Sequence, residues 1–110
     1  MKYHEPVLLK ETVENLNVKE GGKYIDATLG DGGHSLEILK RGGYVLGLDV
    51  NEKSLERAQL RIKKEGLDER FKGVLGNFKN IEKIGKENSF EKVNGIVYDL
   101  GYSSYELEEL

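Results

Sequence analysis

Short apolar runs alternate with helix-spaced apolar stripes along this chain, and glycine stands at the joints between them. The runs lie at 23–28, 44–49, 71–75 and 93–100. Leu9, Val13 and Leu16 form the first stripe, with the spacing of one helix face. Pro6 suits the first turn of that helix, where its missing N–H would be unpaired anyway, and the helix is expected to end near Asn17. Leu36, Ile38 and Leu39 begin a second helix that stops at Gly42-Gly43. Leu55, Ala58 and Ile62 lie on one side of a third, from Glu52 to Glu65, with Gly66 as terminator. A weaker helix is expected over 78–84. Tyr44-Val45-Leu46-Gly47-Leu48-Asp49 is apolar almost throughout, as a strand buried on both faces must be. Strands that alternate with helices pair in parallel through right-handed crossovers. The expected fold is therefore α/β: the first part of a doubly wound sheet, about four parallel strands with flanking helices, in a single domain over 1–110.

Composition narrows the class. Fourteen glycines stand against one proline, where an average of about 7% would give roughly eight glycines. The pairs Gly21-Gly22, Gly32-Gly33 and Gly42-Gly43 punctuate many short connections. The formal net charge of −3 excludes a protein that holds polyanions by bulk positive charge, though not one with a local basic face. Cysteine is absent, which excludes disulfides and thiolate metal sites. No apolar run approaches the roughly 18 residues of a membrane span. The start, Met1-Lys2-Tyr3-His4-Glu5-Pro6, is charged where a signal peptide would be apolar. A soluble cytoplasmic protein is expected.

Ligands of open parallel sheets bind outside the carboxyl ends of the strands. Asp26, Asp49 and Asp99 each fall at or near such an end, placing three carboxylates along one rim. Aspartate also starts turns, so any one of them has a purely local reading; three together favour a site. Gly30-Asp31-Gly32-Gly33 follows a strand and opens a helix, where glycine permits torsions and close approach that a Cβ would block. Asp49 follows Gly30 by 19 residues, at the end of the next strand, where a carboxylate can accept bonds from two ribose hydroxyls. An adenosine-type ligand fits. The dinucleotide fingerprint would need glycine where Ser35 stands, which disfavours a nicotinamide cofactor. Asp26 before the loop, with Asp99, would attract the amino and sulfonium groups of S-adenosylmethionine and repel a pyrophosphate.

Three segments carry a family resemblance: His4-Glu5-Pro6-Val7-Leu8-Leu9-Lys10-Glu11, Asp26-Ala27-Thr28-Leu29-Gly30-Asp31-Gly32-Gly33-His34-Ser35 and Asp99-Leu100-Gly101-Tyr102-Ser103-Ser104. In order and approximate spacing they resemble the bacterial 16S ribosomal RNA (cytosine-N(4)) methyltransferases, across nearly the whole chain. The resemblance implies a Rossmann-like fold, S-adenosylmethionine as cofactor, and a ribosomal cytidine methylated on its exocyclic amine. It implies glycine-loop contacts at Gly32, Gly33 and His34, a ribose-binding acid at Asp49, and a residue beside the adenine at Phe78. Asp99 matches the carboxylate at the end of the fourth strand. Glu106 falls where the family usually has Gln; it keeps an acceptor but loses the amide donor. Tyr102 replaces a residue that is commonly Val. Family members are several-fold longer and carry an inserted helical domain that helps hold RNA. This chain stops at Leu110, so the expectation is a cofactor half-site, with a cofactor-binding module without turnover as the alternative.

Several residues keep two readings. Asp99 and the Gly101 to Ser104 loop are the candidates to hold the acceptor amine, with Asp99 the one catalytic candidate; cofactor binding plus a turn is their other role. His34, at a helix N-terminus, either donates to the cofactor or caps the turn. His4 orders the N-terminal segment rather than binding metal. Phe78 serves equally as a core aromatic. Lys53, Arg57, Arg61 and Lys64 make a basic stripe that either contacts phosphate or is a solvated face, with Glu52, Glu56 and Glu65 interrupting its field. Finally, Gly95-Ile96-Val97-Tyr98-Asp99-Leu100 contains no Pro or Lys to block edge pairing, so a homodimer through the fourth strand is expected.

Overall fold

Each face of one sheet takes up part of the apolar pattern. The computed structural model of the protein describes residues 9–98. Its elements run α1 (Leu9–Leu16), β1 (Lys23–Asp26), α2 (Gly33–Lys40), β2 (Tyr44–Asp49), α3 (Glu52–Lys64), β3 (Phe71–Leu75), α4 (Ile81–Glu87) and β4 (Gly95–Val97). The strands form one sheet in the order β3-β2-β1-β4. All pairings are parallel, with Tyr24 beside Val45 on one flank and beside Gly95 on the other. The expected α/β architecture is what the chain adopts. Pro6 and His4 lie outside the described residues.

Alternation along the strands sorts side chains to two cores. Tyr24, Val45 and Val97 point to one face, where Val13 of α1, Leu36, Ile38 and Leu39 of α2 and Ile62 of α3 cover them. Ile25, Leu46 and Leu48 point to the other, under Ile84 of α4 and Phe90. Asn17 ends α1 in the left-handed region at φ 53° and donates its N–H to Glu14. Arg70 ties the far ends of α2 and the α2–β2 turn, its guanidinium donating to the Leu39 and Gly43 carbonyls at 3.0 and 2.7 Å.

Four boundaries differ from expectation. β4, expected over 93–100, is regular only over Gly95–Val97, with Val93 and Asn94 before it and Tyr98 after it outside the ladder. β1 is regular only to Asp26; the chain then turns, although Ala27 still donates to Val97 and Leu29 to Leu48. α2 starts at Gly33, ahead of the apolar stripe, because Gly32 at φ 81° supplies the turn into the helix. The weak helix is a 3-10 turn over Phe78–Asn80 followed by α4, which reaches Glu87.

Candidate functional site

The carboxyl ends of β1, β2 and β4 share one rim, with the loop between β1 and α2 at its centre. Asp26, the last residue of β1, is fully buried. Its Oδ2 accepts from the equally buried Ser35 hydroxyl at 2.7 Å, and its Oδ1 accepts from the Thr28 N–H at 3.3 Å. This carboxylate holds the start of the loop to the start of α2; it does not stand on the open rim beside Asp49.

Asp49 ends β2 and remains half-buried. Its Oδ2 accepts from the Gly30 N–H at 2.9 Å and its Oδ1 from the Asn51 N–H at 2.8 Å. A carboxylate oxygen has two lone pairs, so each oxygen keeps an acceptor direction for a ligand hydroxyl. The loop is thus fixed at the acid, and Gly30 is its exposed point. Among the described residues, a Cβ added at Gly30 would meet nothing nearer than the Thr28 carbonyl at 4.0 Å. Gly32, Gly33 and His34 are buried at the N-terminal end of α2, whose cap at Gly32 uses no side-chain bond. His34 is 4% exposed and sits inside the protein.

Phe78 follows the end of β3, which is joined to Asp49 by the Gly76 N–H to the Asp49 carbonyl at 2.9 Å. Phe78 is 40% exposed, so it is no core aromatic. It meets Tyr98, just past β4, edge to face at 5.0 Å and 86°. That geometry is a favourable aromatic pairing and leaves part of both rings open. Asp99 and Glu106 lie outside the described residues. No group of three or more His, Asp or Glu among the described residues can hold a metal ion. No described helix is long and apolar enough to cross a membrane.

Four residues of the site were given no contact of this kind by sequence reasoning. Asp31 and Ser35 anchor the loop, Tyr98 backs Phe78, and Val50 beside Asp49 is an apolar side chain 68% exposed at the rim. Asp31 and Ser35 lie inside the quoted glycine-loop segment, and Val50 carried a signal of its own, since an apolar residue past a strand's terminal acid has no buried face to fill.

A parallel sheet in the order β3-β2-β1-β4, with a glycine loop after β1 and an acid closing β2, is the layout of a Rossmann-like methyltransferase domain. Similar solved structures include an SAM-dependent O-methyltransferase from Thermotoga maritima, 26% identical, TM-score 0.64, aligned over 73% of this chain and 32% of that one. An rRNA methylase from Streptococcus thermophilus has the same fold, with 19% identity and TM-score 0.62 over 76% of this chain and 50% of that one. The chain belongs to the MraW methylase family, whose profile matches residues 1–110. It is 50% identical over 106 residues to ribosomal RNA small subunit methyltransferase H of Carboxydothermus hydrogenoformans, covering 96% of this chain and 33% of that protein. The Clostridium botulinum protein of the same name is 46% identical over 109 residues, covering 96% and 34%. The chain spans about a third of the length of these curated relatives.

Proposed function

We propose that this chain is the cofactor-binding part of an S-adenosylmethionine-dependent methyltransferase that modifies a cytidine of 16S ribosomal RNA on its exocyclic amine. The observation that carries the reading is the Asp49 carboxylate, locked to Gly30 with one acceptor direction of each oxygen still open. Adenosine presents two vicinal ribose hydroxyls, which such a carboxylate accepts together. Gly30 leaves the space a ligand needs beside the acid, and Gly32, Gly33 and His34 bring the N-terminal end of α2 to the same place. Val50, Phe78 and Tyr98 offer the partly exposed apolar surface that a purine ring covers. The names of the relatives support ribosomal RNA as the substrate and, with it, a cytoplasmic setting.

When bound, S-adenosylmethionine supplies an electrophilic methyl group on a sulfonium sulfur. The protein's task is alignment and exclusion of water. The cytosine amine is a poor nucleophile because its lone pair is delocalised into the ring. Asp99 and the Gly101 to Ser104 loop are the proposed acceptors for its N–H groups, which strengthen as positive charge develops on nitrogen. Glu106 is proposed as a further cofactor contact. Turnover is assigned to the whole protein, since this chain covers only a third of its relatives.

Isothermal titration of the chain with S-adenosylmethionine and with NAD tests the reading. Binding of the first and silence for the second are expected. Asp49→Ala removes a charged acceptor and should weaken binding by about 1.5–3 kcal/mol. NAD binding with no signal for S-adenosylmethionine would overturn the proposal.

A further inference from the structure

Two arginines of the basic stripe do not simply face water. Arg57 Nε lies 3.2 Å from Asp31 Oδ1. Arg61 Nη1 donates to the Asp31 carbonyl oxygen at 3.0 Å, across 30 residues of sequence. Between them, Ala58 is fully buried, and a Cβ built on Gly32 would stand 3.1 Å from the Ala58 Cβ. The glycine loop is therefore seated directly on α3 and held there by charge and by backbone.

The start of the same helix is tied to the acid. Asn51 donates its N–H to Asp49 Oδ1 at 2.8 Å, and its side chain caps α3 by accepting from the Ser54 N–H at 3.1 Å. Asp49 Oδ2 in turn accepts from Gly30. The contacts close a ring: Asp49 to Gly30, along the loop to Asp31, across to Arg57 and Arg61, and back down α3 to Asn51. A hydrogen-bonded helix fixes the separation of its two ends, so these contacts couple the position of the loop to that of the carboxylate.

We propose that Arg57 and Arg61 are positioning residues that set the glycine loop against the Asp49 carboxylate, and so tune the fit of an adenosine-type ligand they do not touch. The effect on affinity rests on the cofactor reading above; the effect on the loop does not. The Arg57–Asp31 pair has side chains 34% and 20% exposed, and partly exposed pairs contribute little stability. Its consequence is geometric. The competing role, contact of these cations with RNA phosphates, would leave cofactor binding untouched.

The test measures S-adenosylmethionine affinity by calorimetry, and amide hydrogen exchange of residues 30–35 without ligand, on the 110-residue chain. Arg57→Gln, Arg61→Gln and Asp31→Asn should each weaken binding about 3–10-fold, the scale of substitutions that act on a site through its neighbours. Arg57→Gln combined with Asp31→Asn should be no weaker than the worse single variant, because both remove one pair. Exchange at 30–35 should quicken while β2 and α4 keep their protection. Arg57→Lys and Arg61→Lys should retain part of the effect, and they carry the comparison if a Gln variant loses its circular dichroism. Wild-type affinity together with wild-type exchange in both Gln variants overturns the proposal, as does a loss confined to ribosomal RNA binding. If the wild-type chain binds no S-adenosylmethionine, the cofactor reading fails, and the exchange rates alone decide the positioning role.

Discussion

Asp26, Asp49 and Asp99 look alike in the sequence, three acids at three strand ends, yet the first two have unlike roles once folded. Asp49 stays half-open, while Asp26 is sealed beneath Ser35. What separates them is not local: the hydroxyl that bonds the buried Asp26 is nine residues away, on a helix that starts earlier than its apolar stripe suggests. Arg57 and Arg61 hid their role for the same reason, since helical spacing shows which residues share a face but not what that face meets. Gly32 is the residue whose identity the loop can least relax. At φ 81°, and with Ala58 at 3.1 Å from its absent Cβ, it admits no side chain without strain. Gly32→Ala should cost roughly 1–2 kcal/mol from the left-handed backbone alone. That corresponds to a fall of about 4–16 °C in the thermal midpoint of a domain this size. A calorimetric scan checks it, and an unchanged midpoint would show that the loop has another conformation available.

Elements were more legible than residues. Every strand and helix described here was signalled by apolar spacing, because a parallel sheet covered on both faces requires unbroken apolar strands and one-sided helices. The misplaced boundaries are at glycines and turns, where hydrogen bonding rather than burial decides. β4 is an edge of the described sheet, and the self-association expected of it belongs to Ile96 and Tyr98, which are 49% and 48% exposed. Val97 is 2% exposed and packs with Tyr24 and Val45, so Val97→Lys would unfold the domain rather than report on its edge. Ile96→Lys is the informative variant, since a charged side chain at an edge opposes pairing. Sedimentation over a concentration series should show a dimer for the wild-type chain and a monomer for Ile96→Lys. A wild-type chain that stays monomeric removes the edge from consideration as an interface.

At the scale of the molecule, the described rim brings together an acid, a glycine loop and an aromatic pair, which the proposed function reads as the cofactor's seat, and the chain covers about a third of the relatives' length. Methyl transfer depends on aligning acceptor and donor, and lost alignment removes a large part of the rate enhancement. The 110-residue chain should therefore bind cofactor yet transfer little or no radiolabelled methyl to small ribosomal subunits, while a full-length relative does so in the same assay. Turnover comparable to the relative's would place the whole catalytic apparatus within these residues.

The strand order also sets a timetable. β1 lies between β2 and β4, and its β4 flank is stitched by Lys23 and Asn94: the Lys23 N–H donates to Asn94 Oδ1 at 3.0 Å, and the Asn94 N–H to the Lys23 carbonyl at 2.7 Å. Those partners are 71 residues apart. At roughly 5–20 residues per second, a ribosome takes roughly 4–14 s to make that stretch. Through that interval α1, β1, α2, β2, α3 and β3 can assemble while one flank of β1 has no partner. The nascent chain thus passes through a stage with an open parallel edge in the middle of its eventual sheet.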